Sequence, residues 1–381
     1  MESEVSSVKR KRFFISGQLD FPLMIAVIMM SAFGLVMLFS ASYYTAQNSA
    51  LYDYDGFSFL KSQARYMALG LVAMYFISRL DYHLFDRFRV LILAVSIALM
   101  AAVFIPGLGK NLNGATRWLK IPGTNFTFQP SELAKFALIA YMAGFMSRRP
   151  QAMRSFSKGL VPMFLIMGAY GIVLLAQKNL SMLVILAVTG FTMLFLGGAQ
   201  LKHLLGLLAI AIPLFFVFVY MEEYRAARLS MFVNPWDTDL AGAYQLRQAL
   251  IAFGNGGLFG QGLNFSRQKL LFLPYGESDF IFAIIGEELG FIGCCCVILG
   301  YLFIVYRGIL IAIRCKDRFG SLMAGGITSV IGVQAAVNIA VATSSVPTTG
   351  QTLPFISDGG TSLLIFLAAT GILLSISRSM E

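Results

Sequence analysis

The chain has 381 residues, of which 57% are hydrophobic and only 13% are charged, and its formal net charge is +10. A soluble domain of this length cannot bury so much apolar surface, so the composition indicates a protein that crosses a membrane many times. We expect no nucleic-acid partner, because the basic residues are scattered over short connections between apolar segments.

The N-terminal residues 1–21 form a basic tail that contains the run Lys9-Arg10-Lys11-Arg12. The apolar segment that follows is long enough to span a bilayer and carries no small-residue cleavage signature, so we expect it to remain as an anchor. Apolar segments of about twenty residues, the length that a bilayer core requires, recur along the rest of the chain. The predicted spans are 22–42, 63–80, 88–105, 132–147, 160–177, 180–198, 203–221, 280–306, 318–343 and 361–377.

These segments predict an all-α fold: a polytopic membrane helix bundle of about ten transmembrane helices, forming one integral membrane domain over residues 1–381. Lysine and arginine concentrate in the tail and in alternate short connections, which the positive-inside bias assigns to the cytoplasm. Because the number of spans is even, both termini are predicted to be cytoplasmic.

The longer connections then lie on the extracytoplasmic side: 43–61, 106–131, the large loop 222–279, and 344–360. They are rich in Gly, Pro, Asn and Thr, which indicates irregular, partly re-entrant backbone. Such backbone is tolerated at membrane depth only where it is buried in protein or lines a wet cavity. We therefore expect 106–131 and 344–360 to fold over a cavity together with 222–279.

The extracytoplasmic connections carry more cations than the positive-inside bias predicts. These cations are Lys110, Arg117, Lys120, Arg225, Arg228, Arg247, Arg267 and Lys269. Long loops can be translocated despite their charges, so one interpretation is a merely solvated surface. The other is an electropositive cleft for a phosphate or pyrophosphate, in which Arg117 beside Trp118 would grip the anion as a fork.

The fourth span opens with two charges, Glu132 and Lys135, which share a helix face at i, i+3 spacing. They could form an ion pair that lets the helix end enter the membrane, or they could position a substrate group in the cavity. Pro130, after Gln129, is typical of a helix N-terminus. Ser131 could cap this helix or help to bind an anion there.

The segment from 244 to the eighth span is glycine-rich and basic, and we expect it to be non-helical. Its glycine run 254–263 lacks the ending of a nucleotide-binding loop and is more consistent with a tight re-entrant turn. Asp279 follows at the mouth of the span, where a carboxylate is a functional candidate by default. Glu287 and Glu288 do not share its helix face, so we expect buried hydrogen bonds or helix pairing for both.

Nine short motifs, in order over nearly the whole chain, resemble the SEDS family (shape, elongation, division and sporulation proteins). They are NGATRW (113–118), FQPSELAK (128–135), NPWD (234–237), YQ (244–245), GGLFG (256–260), SRQK (266–269), DFIFA (279–283), EELGF (287–291) and PTTGQTLPF (347–355). The NPWD and SRQK motifs look more like the division and sporulation branch than the rod-shape branch.

The resemblance implies a glycosyltransferase that polymerises the lipid-linked disaccharide-peptide lipid II into peptidoglycan at the outer face of the bacterial plasma membrane. It implies that Asp279 is the catalytic general base, with inverting transfer and lipid pyrophosphate as leaving group. The usual partner is a class B penicillin-binding protein, alongside other divisome or elongasome membrane proteins. The candidate substrate-binding residues are Arg117, Lys120, Gln129, Ser131, Glu132, Lys135, Arg267, Gln268 and Lys269.

The chain departs from the family pattern at three places. The family's Gln-Pro-Asp-Leu-Gly-Thr is replaced by QKNLSM at 177–182. Tyr275 stands where glutamate is usual, with Glu277 where glutamine or histidine is common, and Asp358 replaces the tyrosine of Tyr-Gly-Gly-Ser-Ser. These departures bear on how the substrate is held.

A departing pyrophosphate needs about two negative charges neutralised. Arg117, Lys120, Arg267 or Lys269 could do this, alone or with Mg²⁺ or Mn²⁺ held mainly by the substrate, since the sequence shows no dedicated metal ligands in the protein. Two rival functions remain: a lipid II flippase or transporter with the same anionic ligand, and a non-catalytic scaffold that activates a partner synthase.

Overall fold

The computed structural model describes residues 17–112, 115–120, 127–221, 223–236 and 241–380. Its α-helices, numbered in chain order, are α1 Phe21–Gln47, α2 Ser58–Ile77, α3 His83–Arg87, α4 Arg89–Ala102, α5 Pro130–Arg148, α6 Val161–Ala176, α7 Leu180–Leu196, α8 Leu201–Tyr220, α9 Glu223–Val233, α10 Ala241–Gly256, α11 Ile281–Arg314, α12 Arg318–Ala342 and α13 Gly360–Arg378. The strands are β1 Gly109–Leu112, β2 Ala115–Lys120 and β3 Thr127–Phe128.

Each of the ten predicted spans coincides with a helix, namely α1, α2, α4, α5, α6, α7, α8, α11, α12 and α13. Within the described ranges, five helical segments are by themselves long and apolar enough to cross a membrane: α1, 156–176 (α6 with the turn before it), α11, α12 and α13. The prediction of a multi-pass membrane helix bundle is confirmed.

Helix α13 lies near the middle of the bundle and packs closely against α2. Glycines permit this approach: a Cβ atom added to Gly70 would lie 2.6 Å from Leu367, and one added to Gly371 would lie 2.8 Å from the carbonyl oxygen of Met74. Small residues at such contacts let helices pack by van der Waals attraction, which replaces the hydrophobic effect inside a membrane.

Helix α11 is broken at Gly290, whose φ of 66° and ψ of −164° are not helical. The glycine run docks into the break: the N–H groups of Gln261 and Gly262 donate to the carbonyl oxygens of Glu287 and Glu288 at 2.9 and 3.0 Å. The predicted span 280–306 is therefore a helix in two parts. The tight turn expected at 254–263 is present, since its glycines 257, 260 and 262 all have positive φ.

Helix α10 corrects the prediction that the chain is non-helical from 244 onward. Its buried residues Ala243, Leu246, Ala249 and Ala252 recur every three positions and form one apolar face. Such spacing is typical of an amphipathic helix, and α10 uses that face to pack against α11.

The connection 106–131, expected to be irregular, contains a small antiparallel sheet in the order β1-β2-β3. Lys110 pairs with Trp118 across the first ladder, and Lys120 pairs with Thr127 across the second. The sheet therefore fixes the placement of Arg117, which lies in β2.

The bundle has two chemically different ends. Helix α5 runs from Pro130 at the end where the long connections meet, which we call the loop end, to Arg148 at the other, which we call the basic end. At the basic end, Arg307 bonds both carboxylate oxygens of Asp20 at 3.1 and 2.7 Å, and the N–H of Asp20 donates to Ser377 at 3.2 Å. The first helix is thus joined there to α11 and to the last helix.

Candidate active site

Three long connections are held by hydrogen bonds at the loop end. The hydroxyl groups of Tyr66 and Thr361 both donate to the carbonyl oxygen of Thr127 at 2.9 Å. The hydroxyl of Ser357 donates to the carbonyl oxygen of Ser278 at 2.6 Å. These bonds tie 106–131 to α2 and to the start of α13, and they tie 344–360 to the end of 222–279. The three connections therefore lie at the same end of the bundle, and the cavity that they were expected to cover stays a prediction.

Asp279 lies in the turn immediately before α11, partly exposed, as expected for a carboxylate at a helix mouth. Its carbonyl oxygen accepts a hydrogen bond from the amide of Asn338 at 3.0 Å, and the same amide donates to the carbonyl of Gln351 at 2.7 Å. A Cβ atom added to Gly350 would lie 3.5 Å from Oδ2 of Asp279. The carboxylate therefore faces the 343–359 connection.

Glu132 and Lys135 form an ion pair of 2.9 Å, with the Lys135 side chain 0% and the Glu132 side chain 3% exposed. Two neutral groups complete the network: Ser362 donates to Glu132 at 3.1 Å, and Lys135 donates to Oε1 of Gln334 at 2.6 Å. The two side chains therefore form the ion pair that the first interpretation predicts. The substrate-positioning role remains a prediction.

Gln334 and Asn338 connect this pair to Asp279, and sequence analysis did not select either residue. They lie one turn apart on α12, so they share a face; Gln334 donates to the carbonyl oxygen of Thr352 at 3.0 Å, one residue beyond the Gln351 carbonyl held by Asn338. The available signal was two amides at i, i+4 spacing in an apolar helix, where polar side chains tend to be functional.

The start of α5 corrects one prediction and contains a buried polar atom that has no hydrogen-bond partner among the described residues. Gln129, not Ser131, is the N-cap residue, and its side chain makes no capping hydrogen bond. Ser131 lies in the first turn, 1% exposed, and its Oγ has no hydrogen-bond partner within the described part of the chain. A buried hydroxyl at a helix N-terminus is suited to donate a hydrogen bond to an anionic ligand.

Arg117 extends from β2 toward the turn between α6 and α7. Its guanidinium donates to the carbonyl oxygens of Lys178 and Gln177, the latter at 3.5 Å. Lys178 has a positive φ of 54°, within the segment that departs from the family pattern. Lys120 is exposed at the end of the same strand. Strand β2 packs against α5, so Arg117 belongs to the same end of the bundle as Ser131.

The SRQK motif lies along the first part of α11 and is bonded to its two glutamates. Lys269, 7% exposed, donates to Glu288 at 2.9 Å and to Ser40 at 3.0 Å. The backbone N–H groups of Arg267 and Gln268 both donate to Glu287 at 3.2 Å. Both glutamates are thus held by buried hydrogen bonds, as predicted, and the charge of Lys269 is matched by a carboxylate in the resting protein.

Two further carboxylates surround Asp279. The N–H of Asp358 donates to the carbonyl oxygen of Glu277 at 3.0 Å. Burial, reinforced by the charges of Glu277 and Asp279, raises the pKa of Asp358 to about 7. Burial also raises the pKa of Glu277 above its ordinary value. Asp279 is therefore one member of an acidic group.

Several sequence predictions fall outside what the structure describes. Asn113, Gly114 and Asp237 lie outside the described residues, and so do the side chains of Arg225 and Arg228. Among the described residues, no group of three or more His, Cys, Asp or Glu is arranged to hold a metal ion.

Comparisons with known proteins agree over almost the full length. A family model described as cell cycle protein, which joins FtsW, RodA and SpoVE, matches residues 21–381. A "Probable peptidoglycan glycosyltransferase FtsW" of Geobacter sp. is 40% identical over 359 residues, which cover 94% of this chain and 96% of that protein. "Stage V sporulation protein E" of Bacillus subtilis is 39% identical over 359 residues, covering 94% and 97%.

Solved structures match the fold at similar coverage. A chain from "Structural coordination of polymerization and crosslinking by a peptidoglycan synthase complex" is 26% identical with a TM-score of 0.78, covering 95% of this chain and 98% of that one. The rod shape determining protein RodA of Thermus thermophilus is 26% identical with a TM-score of 0.68, covering 94% and 97%.

Proposed function

This chain belongs to the FtsW, RodA and SpoVE family of cell cycle proteins, and we propose that it is a peptidoglycan glycosyltransferase that polymerises lipid II. The names of its relatives, FtsW and stage V sporulation protein E, fit the division and sporulation branch. The observation that carries the catalytic proposal is Asp279 itself: a carboxylate at a helix mouth, on a residue whose main-chain carbonyl oxygen is bonded by Asn338.

In the proposed reaction, the 4-hydroxyl of an acceptor sugar attacks the anomeric carbon of a lipid-linked donor. A new carbon–oxygen bond forms on one face of that carbon while its bond to the lipid pyrophosphate breaks on the other, so the configuration inverts. The hydroxyl proton passes to the carboxylate of Asp279, which acts as general base. The electron pair of the broken bond leaves with the pyrophosphate.

The pyrophosphate would lie near the N-terminus of α5. Ser131 offers a buried hydroxyl without a partner among the described residues, and the helix dipole is positive at that end. Arg117, which lies in the strand packed against α5, would move from its carbonyl partners to the anion. Lys120 and Gln129 flank this position, whereas Lys269 would first have to leave Glu288.

A divalent cation, Mg²⁺ or Mn²⁺, would supply additional charge neutralisation for the leaving group. Since the described carboxylates form no metal-binding group of three, the ion would be carried mainly by the pyrophosphate oxygens, as is common for Mg²⁺. The residues present therefore fit an ion that arrives with the substrate.

The proposed site faces outward. The loop end holds Asp279 and the basic end holds Arg148 and Arg307, so the positive-inside bias directs the basic end and both termini to the cytoplasm of a bacterial cell. We propose a class B penicillin-binding protein as the partner, which would crosslink the glycan strands, together with other membrane proteins of the same machinery. The similarity to a chain of a peptidoglycan synthase complex that coordinates polymerization and crosslinking supports this proposal.

The test uses purified protein, with its partner synthase present, and lipid II in detergent micelles, where transfer of lipid across a bilayer has no meaning. Glycan products are separated on a gel. We expect polymer from the wild type and a loss of at least about a hundredfold in Asp279→Asn, because general base catalysis contributes about 10²–10⁴-fold. Absence of polymer from the wild type under every metal and partner condition would favour a flippase or a scaffold.

A further inference from the structure

Asp358 is placed against the proposed base by three separate contacts of its own segment. Its N–H donates to the carbonyl of Glu277 at 3.0 Å, and the hydroxyl of the preceding Ser357 donates to the carbonyl of Ser278 at 2.6 Å. From α2, the amide of Gln63 donates to the carbonyl of Ser357 at 2.9 Å. The backbone of 357–358 is therefore fixed beside the turn that carries Asp279.

The contacts of Asp358 named here, all within the described part of the chain, are with acidic or neutral groups. Glu277 and Asp279 reach it from the turn before α11, and their charges act on it. Tyr52 reaches the same place from the 43–61 connection, and its pKa is raised by burial and by the charges of Glu277 and Asp358. Gln63 presents an amide from α2 and accepts from the N–H of Gly359 at 3.4 Å. Three carboxylates in one partly buried place cannot all ionise freely.

Coupling between two carboxylates is reciprocal. If the charge of Asp279 opposes ionisation of Asp358, then the charge of Asp358 opposes ionisation of Asp279 by the same free energy, and the protons belong to the group rather than to either residue. An isolated aspartate, ionised at all physiological pH values, is a feeble base. A neighbouring carboxylate that shares the negative charge makes such an aspartate a stronger base.

We propose that Asp358 is a positioning residue that raises the basicity of Asp279 through this shared carboxylate group. The proposal rests on the proposed function of Asp279 as general base. It assigns a role to a residue at which this chain departs from its family, because Asp358 stands where tyrosine is usual.

The first experiment measures the rate of lipid II polymerisation from about pH 5 to about pH 9 for the wild type and Asp358→Asn. We expect the acidic limb of the wild type to extend to about pH 7, where Asp358 ionises and its charge begins to act on Asp279, and the limb of Asp358→Asn to lie at lower pH by about one unit. Asp53→Asn is the matched control: Asp53 is exposed on the 43–61 connection, and its left-handed φ of 53° is one that asparagine tolerates. Its profile should overlay that of the wild type.

A second measurement needs no activity. The folded pKa of Asp358, about 7, lies above its unfolded value, so the folded state binds the extra proton and stability is lost as the pH rises toward 7 and through it. Asp358→Asn removes that loss: its melting temperature should exceed that of the wild type most at pH 8, by less at pH 5, and should match it only below the unfolded pKa of 3.8. Asp279→Asn should move the decline of the melting temperature to a lower pH than in the wild type.

Failure of the proposed function and failure of the positioning role of Asp358 give different experimental results. A wild type without polymerase activity overturns the proposed function, while the melting curves still report the coupling. An active wild type whose pH profile is overlaid by that of Asp358→Asn overturns the positioning role, as does a uniform loss of rate with no movement of the limb. If neither Asp358→Asn nor Asp358→Ser folds, an unchanged melting profile in Asp279→Asn overturns it.

Discussion

The Glu132–Lys135 pair shows how a single residue change separates a structural role from a catalytic one. Both side chains are almost fully buried, so removal of one partner leaves an uncompensated charge in a membrane helix. We predict that Glu132→Gln and Lys135→Met each destabilise the protein by roughly 3–5 kcal/mol, seen as a lower melting temperature in detergent. The double variant should recover most of that loss, because no charge is then left without a partner.

Polymerisation by the double variant decides between the two interpretations of this pair. Recovery of both stability and activity would show that the pair only lets α5 enter the membrane. Recovery of stability with activity still absent would show that it contacts the substrate. The conservative comparison is Ser362→Ala, which removes a 3.1 Å hydrogen bond to Glu132 and a 3.1 Å hydrogen bond from Thr352 but leaves both charges paired, so it should have a smaller effect on both measurements.

Sequence reasoning at the residue scale succeeded where a charge stands in an apolar setting. Asp279 was located by its position before a span, and the Glu132–Lys135 ion pair by i, i+3 spacing within one helix. The partners of Lys269 were not predicted, because Ser40 and Glu288 belong to other parts of the chain and no local period links them. Gln334 and Asn338 were missed because an amide carries no charge to mark it.

At the scale of elements, the break in α11 depends on one residue. A Cβ atom added to Gly290 would lie 2.3 Å from the backbone nitrogen of Gly260 and 2.6 Å from the carbonyl oxygen of Leu258. We predict that Gly290→Ala costs at least about 1–3 kcal/mol from backbone strain alone and undocks the glycine run. The expected measurements are a lower melting temperature and faster proteolysis within 257–262.

Gly168→Ala is the control for that change. Gly168 lies in α6, and nothing stands within 4 Å of the position that its Cβ would take. Alanine is favoured over glycine in a helix interior by about 1 kcal/mol, so this variant should be neutral or slightly more stable. Equal behaviour of the two variants would contradict the close approach described for Gly290.

Sequence analysis missed α10 and the small sheet because both are stabilised by tertiary contacts that a local sequence pattern does not show. In 241–256 the glycines at the end of the segment indicated non-helical backbone. Its alanine, leucine and glutamine residues favour a helix, however, and packing against α11 stabilises that helix. In 106–131 the strands are short and are stabilised by each other and by α5, so none of them shows a sustained alternation of apolar and polar residues. Long apolar helices were predicted reliably because the bilayer sets their length.

For the molecule as a whole, the proposed sidedness can be tested by thiol labelling in intact cells. The four native cysteines, Cys294, Cys295, Cys296 and Cys315, are first replaced by alanine. Leu51→Cys, 89% exposed at the loop end, should then react with a membrane-impermeant reagent from outside. Gln151→Cys, exposed at the basic end, should react only after permeabilisation. The reverse pattern would place Asp279 in the cytoplasm and overturn the proposed function.

The orientation could be predicted from the sequence, because it depends on how many Lys and Arg residues lie in each loop and not on packing. The meeting of the long connections at the loop end could be predicted only in part. Their glycine and proline content indicated irregular backbone over a cavity, but the individual bonds, such as that of Ser357 to Ser278, join positions far apart in the chain.

The junction at the basic end has a consequence for biosynthesis. Asp20, at the very start of α1, is bonded to Arg307 and to Ser377, 357 positions further along. As the ribosome releases the chain from its N-terminus, the first helix enters the bilayer long before either partner exists. Its carboxylate must stay hydrated at the membrane surface until α11 brings Arg307, and its backbone N–H must stay hydrated until α13 brings Ser377. A nascent chain that stops before α13 would therefore lack the second of these contacts.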